Sequence, residues 1–448
     1  MNNKGLIFII ISILLVNCSF DNKTGIWGGG KEEKRRIAEL QQKQKETIST
    51  NKIYSSENIY SQEKSLQVKI SLPKPKKTLS WEMAGLNYQN FLGNIYLSGI
   101  DNIFLKKKIG KNKLSMSKIT NQPLIYKNNI FISDDKGTIF NIDMNSKMNW
   151  KKNIYKKIYK KIYKNLTFAI YENKIYISDN IGFIYALSIE TGNLIWIKNH
   201  GIPLKSKIKI YENKIFLINQ DNRLIALNIN DGSIIWNIRS ISSFIKSQSL
   251  LSIAFSKNGI LVAINSAGDL IKANTVNGEV VWSLNTLGSM LAHATDFFRS
   301  SDVVISDENI IFSNQESIFS YSLSNGYTNW ENRISSIATP IVSGENIFFI
   351  TENGYFIIMS LNNGKIISST NILKILKERK QNTKVTGFVM GSGKIFAVTL
   401  NGYLITCSAL TGQTESFKKI GSPITSSPII YDGKLFIYTE DSRILGFQ

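Results

Sequence analysis

The chain has 448 residues, 43% of them apolar, which excludes both wholesale disorder and a polytopic membrane protein. Its 54 Lys and Arg against 33 Asp and Glu leave a formal charge of +21 at pH 7, an excess that a polyanionic partner would explain but that a Lys-, Asn- and Ile-rich composition explains without one. Two cysteines, Cys18 and Cys407, and two histidines, His200 and His293, exclude a disulfide framework and leave little for a histidine-built metal or catalytic centre.

The amino end reads MNNKGLIFIIISILLVNC. Lys4 precedes an apolar run over 6–16 that is broken only by Ser12. That run falls short of the roughly 20 residues of a stable spanning helix and has the layout of a secretory signal. Its end, Leu15-Val16-Asn17-Cys18, resembles the lipobox of bacterial lipoproteins, although Asn17 departs from the small residue usual before the cysteine. The resemblance implies a signal peptide over 1–17, a diacylglycerol thioether on Cys18 and acylation of the new amine, together a stable anchor. Ser19 follows in place of an aspartate, which implies the outer membrane, facing the periplasm.

From 19 to about 62 no strand-like alternation is sustained. Gly28-Gly29-Gly30 leads into KEEKRRIAELQQKQKE, whose helical face would hold only Ile37 and Leu40 beside Ala38. The expectation is a flexible tether over 18–65, between the lipidated cysteine and a folded body at 66–448.

That body is built of repeats. NKIYISDNIGFIYALSIETGNLIW, ending at Trp196, recurs as NKIFLINQDNRLIALNINDGSIIW, ending at Trp236. Looser copies end at Trp150, Trp282 and Trp330, and two later ones place Ser368 and Ser416 where tryptophan would stand. Each copy reads as an alternating strand, a polar turn, a second strand, a Thr-Gly turn and a third strand. A short apolar piece before each copy, often led by proline as in Pro123-Leu124, Pro340-Ile341 and Pro428-Ile429, supplies an innermost fourth strand. Strands beginning near 129, 173, 213, 259, 309, 346, 393 and 433 count eight units. The fold class is all-β, an eight-bladed propeller of four-stranded antiparallel blades. The recurring tryptophans are read as packing between neighbouring blades. The last unit lacks its outer strand, and the solitary Trp81 upstream suggests that the N-terminal strand containing it completes that blade and closes the ring.

The motif Ala186-Leu187, Thr191-Gly192, Trp196 resembles the tryptophan-docking repeat of quinoprotein alcohol dehydrogenases. It is equally similar to that of the BamB-like lipoproteins, the B subunits of the outer-membrane β-barrel assembly machine. The dehydrogenase resemblance implies a vicinal disulfide over a quinone and acidic ligands for calcium, and this chain has no Cys-Cys pair. The lipoprotein resemblance fits lipobox, tether and propeller together. It implies no catalysis and no cofactor, docking as a monomer within a hetero-complex on the periplasmic domains of the barrel-forming subunit, and unfolded outer-membrane proteins as clients. A propeller lipoprotein scaffolding another envelope complex is the alternative.

In that family the docking loop carries Leu-Arg-Gly-Glu-Ser ahead of an inner strand. Here Ile245-Lys246-Ser247-Gln248-Ser249 stands at the comparable place; Lys246 keeps the charge but not the fork of arginine, and Gln248 drops the acid. A second family patch, Asp-Val-Asp-Thr-Thr-Pro, keeps only Asp296. The resemblance thus implies partner contacts at Ile245, Lys246 and Asp296. Finally, KKNIYKKIYKKIYKNL over 151–166 repeats Ile-Tyr-Lys-Lys. As a strand it would send Ile with Lys to one side and Tyr with Lys to the other, and solvated lysines are its expected reading. Export argues against nucleic acid as a partner.

Overall fold

The structure, a computed structural model, describes residues 62–66, 68–112, 121–239, 250–287, 298–376 and 383–448. Cys18, the signal and most of the tether lie outside these residues. Eight antiparallel sheets follow one another along the chain. Blade 2 shows the plan: Leu166–Tyr171 is its inner strand, Lys174–Asp179 and Phe183–Ser188 its middle, and Leu194–Asn199 its outer edge. The inner strands of blades 1 and 3 to 8 are Leu124–Tyr126, Lys209–Tyr211, Ser252–Phe255, Val304–Ser306, Ile341–Ser343, Val385–Gly391 and Ile429–Tyr431. The proline-led pieces are therefore innermost, as their sequence suggests.

Middle strands such as KIYISD and FIYALS are almost wholly buried, because neighbouring blades cover both of their faces. The outer strand LIWIKN is largely exposed. Ile, Leu, Phe and Val fill the space between blades, each fully buried side chain contributing roughly 1.5–3 kcal/mol.

The outer strand carries a bulge. Leu194 pairs with Leu187 and Trp196 with Ala186, so Ile195 is skipped. The same shift recurs in blades 1 and 3 to 7, where it turns the tryptophan position towards the next blade. There the Trp150 indole donates to the Ile189 carbonyl at 2.9 Å and lies against Gly192, whose φ is +67°. A Cβ on Gly192 would stand 2.6 Å from the ring. Trp330 repeats this on Leu361 and Gly364. At Ser368 the ring is missing, and other chain fills in: Lys64 exchanges backbone hydrogen bonds with Ser369 at 2.8 and 3.0 Å. Ile70 joins the same hydrophobic cluster, with Leu66 and Leu72 packed against it.

The ring is closed by an N-terminal strand, but not the one containing Trp81. Ile103–Lys108 is the outer strand of blade 8, pairing antiparallel with Arg443–Phe447 in the register Ile103 to Phe447 and Lys108 to Arg443. Ser80–Trp81 instead adds to the inner edge of blade 1, with Trp81 opposite Ile125 and 0% exposed. The physical reason lies in what each strand must bury. An outer strand covers one face only, for which Leu105 suffices, whereas a large apolar ring such as Trp81 finds full cover at the axis.

Candidate functional site

Antiparallel order puts the blade-to-blade connections and the loops between second and third strands on one face of the ring. The hairpin turns and Thr-Gly turns lie on the other. Ile245 and Lys246 fall within 240–249, and Asp296 within 288–297, outside the described residues. The first segment joins Ile234–Arg239 of blade 3 to Ser252–Phe255 of blade 4; the second joins Val280–Asn285 to Val304–Ser306 of blade 5. In sequence they are consecutive blade-to-blade connections.

Described residues of the connection face form a charged network of their own. The Lys207 ammonium lies 2.6 Å from Asp302 Oδ2, and the Thr339 hydroxyl donates to the same oxygen at 3.1 Å. Burial alone would raise the Asp302 carboxyl, but Lys207 and Thr339 outweigh it and hold the group below the ordinary carboxylate range. Farther along, Glu352 accepts from Lys384 at 2.8 Å and pairs with Arg299 at 3.6 Å. Connections leading into blades 3, 5, 6 and 7 are thereby tied together. The sequence reading passed over these residues. The one available signal is the alternation Lys205, Lys207, Lys209 in KSKIKI, which leads into the inner strand Lys209–Tyr211.

Lys209 shows where that alternation leads. Its ammonium, 1% exposed as a residue, donates to the carbonyls of Ala84 and Asn87, both at 2.7 Å, and to Asn90 Oδ1 at 2.6 Å. Three acceptors match its three hydrogens. Asn90 in turn donates to the carbonyls of Ile253 at 3.1 Å and Val303 at 2.8 Å. Nearby backbone groups extend the pattern: Ile170 N–H donates to Glu82, Phe255 N–H to Tyr88, Ile305 N–H to Gln89, Ile95 N–H to Met390 and Asp432 N–H to Thr78. The segment 78–98 thus crosses the axis and satisfies inner-strand groups that would otherwise face it unpaired.

Among the described residues no three His, Cys, Asp or Glu side chains converge. Cys407 is buried in blade 7 without a disulfide, its thiol pushed up to about 12 by burial, which keeps it protonated and inert. A cleft of about 280 Å³ between blades 1 and 2 on the turn face is lined by Asn129, Asn141, Asn149 and Asn173. Several of its amides bond one another, Asn149 donating to Asn129 and Asn141.

A protein-family model described as "Outer membrane protein assembly factor BamB" matches residues 165–370, the span of blades 2 to 6. No curated protein matches the sequence. Among solved structures, BamB from Moraxella catarrhalis is similar at a TM-score of 0.60 and 12% identity, over 77% of this chain and 100% of that one. A europium-containing methanol dehydrogenase is similar at 0.63 and 12%, over 81% and 90%. The computationally designed protein Ika8 is similar at 0.57 and 12%, over 76% and 99%. An enzyme, an assembly factor and a designed protein share this architecture, so the likeness to structures speaks to fold alone.

Proposed function

We propose that this chain, which carries a BamB-like eight-bladed propeller domain, is a non-catalytic scaffold lipoprotein of an outer-membrane protein assembly complex. The observation that carries the reading is the family match over blades 2 to 6, continued by the same chain into eight closed blades. The lipid on Cys18 holds the protein to the periplasmic side of the outer membrane. Docking on the periplasmic domains of the barrel-forming subunit uses Ile245, Lys246 and Asp296, and unfolded outer-membrane proteins are the clients served by that complex. The ion pairs of Asp302 with Lys207 and of Arg299 with Glu352 support this assignment to the extent that Arg299 and Asp302 belong to the same connection as Asp296. An enzyme of the quinone-dependent kind is disfavoured by the two cysteines, which stand far apart in sequence and offer no vicinal pair.

The test is a binding titration against the periplasmic domains of the barrel-forming subunit. Ile245→Ala with Lys246→Ala weakens the complex at least tenfold, about 1.4 kcal/mol. Unchanged affinity with an intact fold rejects these residues as the contact. Failure of the subunit to co-purify with the membrane-extracted protein rejects the scaffold reading and favours a different envelope complex.

A further inference from the structure

The connection from blade 1 to blade 2, residues 153–165, reads NIYKKIYKKIYKN, and its side chains sort themselves in a way a strand would not. The tyrosines and one lysine anchor it. Tyr155 is buried and donates to Asp179 Oδ2 at 2.7 Å, with its ring 5.8 Å from that of Tyr185 and 4.8 Å from the Lys164 ammonium. Tyr159 meets Phe183 edge-on at 5.7 Å, and its carbonyl accepts from Lys164. Asn180 donates to the Tyr163 carbonyl at 3.1 Å, and Lys164 N–H to the Asp135 carbonyl at 3.0 Å.

What is left outside is one-sided. A single 3₁₀ turn, Lys157–Tyr159, has no buried residue and throws its middle side chain outward. Lys156, Lys157, Lys160 and Lys161 are exposed, and beside them Ile158 is 77% and Ile162 45% exposed. The acids beneath, Asp134, Asp135 and Asp179, are buried, and none of the four lysines forms an ion pair with a described residue. The result is a firmly pinned, convex knob of four cations and two aliphatic tips.

We propose that this knob binds an anionic lipid surface. The charge selects an anionic partner, and the shape selects among such partners. A folded acidic protein would need an apolar pocket ringed by carboxylates to receive a protruding isoleucine. A bilayer interface needs no matched shape, because headgroup phosphates meet the ammonium groups while the aliphatic tips enter the headgroup–acyl boundary. The four lysine stems reach over the same boundary with their charges in the headgroup layer. Since the loop is already ordered by its tyrosines, binding requires little further ordering.

The experiment is vesicle co-sedimentation of the chain from residue 18 onward carrying Cys18→Ser, so that neither an acyl group nor the leading apolar run contributes. Vesicles are phosphatidylcholine alone and phosphatidylcholine mixed with phosphatidylglycerol; no assembly subunit is present, so the outcome is independent of the scaffold reading. The unaltered face binds the mixed vesicles, and does so less as salt rises. Lys156→Glu, Lys157→Glu, Lys160→Glu and Lys161→Glu together lower the partition coefficient at least tenfold, with an unchanged melting temperature. Ile158→Ser with Ile162→Ser lowers it severalfold while leaving the salt dependence in place. Equal partitioning of either variant overturns the proposal, as does binding to heparin without binding to mixed vesicles, which would mark a site for soluble polyanions.

Discussion

The Lys209 ammonium and the Asn90 amide oxygen stand 2.6 Å apart in the middle of the ring, one from the inner strand of blade 3 and the other from the segment that crosses the axis. Burial pushes Lys209 down to about 7 from its ordinary 10.5. The unfolded chain therefore holds a proton that the native protein sheds between those values. Stability contributed by this group is lowest below about pH 7 and rises with pH through the window.

Lys209→Met removes that rise. It also leaves the Ala84 and Asn87 carbonyls and the Asn90 amide oxygen without their donor, about 1–3 kcal/mol for each one left unsatisfied. Thermal melts of both proteins at about pH 7 and about pH 9 check this, the pKa of Lys209 setting the lower limit. The unaltered protein gains stability between the two and the variant gains less; parallel pH slopes would refute the assignment.

Two tryptophans at equivalent positions should differ in worth. Trp330 is buried and donates to the Leu361 carbonyl at 2.8 Å, whereas Trp282 is half-buried and its indole nitrogen has no partner among the described residues. Trp330→Ala costs about 3–5 kcal/mol and Trp282→Ala less. Chemical denaturation of the two variants orders them.

Gly364 and Gly201 separate backbone strain from contact. Both have positive φ, +67° and +72°. A Cβ at Gly364 would meet Trp330 at 2.6 Å, while one at Gly201 meets nothing within 4 Å. Gly201→Ala costs the conformational term alone, about 1–2 kcal/mol, and Gly364→Ala at least about 1 kcal/mol more. Equal losses would show that the turn yields to the added methyl.

Leu105 is the buried residue of the closing strand, at 1% exposure. Leu105→Asp buries an unpaired carboxylate and releases Ile103–Lys108 from Arg443–Phe447. The exposed edge of blade 8 then recruits other copies, so concentration-dependent aggregation in light scattering accompanies a lower melting temperature. A variant that stays monomeric and melts normally would show that closure does not rest on this strand.

The propeller was legible because each blade repeats the same local chemistry: period-two alternation, glycine at a left-handed turn, proline before an innermost strand. Ser368 and Ser416 stand in register with the tryptophans, opposite Ile358 and Thr406 as Trp196 stands opposite Ala186. What no local pattern announces is pairing at long range. The closing strand IFLKKK buries only Leu105 and looks like a charged loop, whereas the conspicuous Trp81 belongs at the axis. Lys209 reads as a solvated strand lysine until its partners, 119 to 125 residues earlier, are brought beside it. The salt bridge of Lys207 with Asp302, 95 residues apart, is hidden for the same reason. Ile245, Lys246 and Asp296 lie outside the described residues, so they stand on resemblance.

The clasp also dictates a timetable. Ser98, just ahead of the closing strand, bonds Gly433, 335 residues later in the chain. Most blades can form from neighbouring hairpins as the polypeptide emerges from a ribosome or a translocation pore, but the clasp cannot. Ile103–Lys108 must wait for Arg443–Phe447, and in the interval blades 1 and 8 present raw flanks to whatever is nearby. Whichever folding helpers attend this chain are needed longest at blades 1 and 8, and the seal cannot form before Arg443–Phe447 has been made.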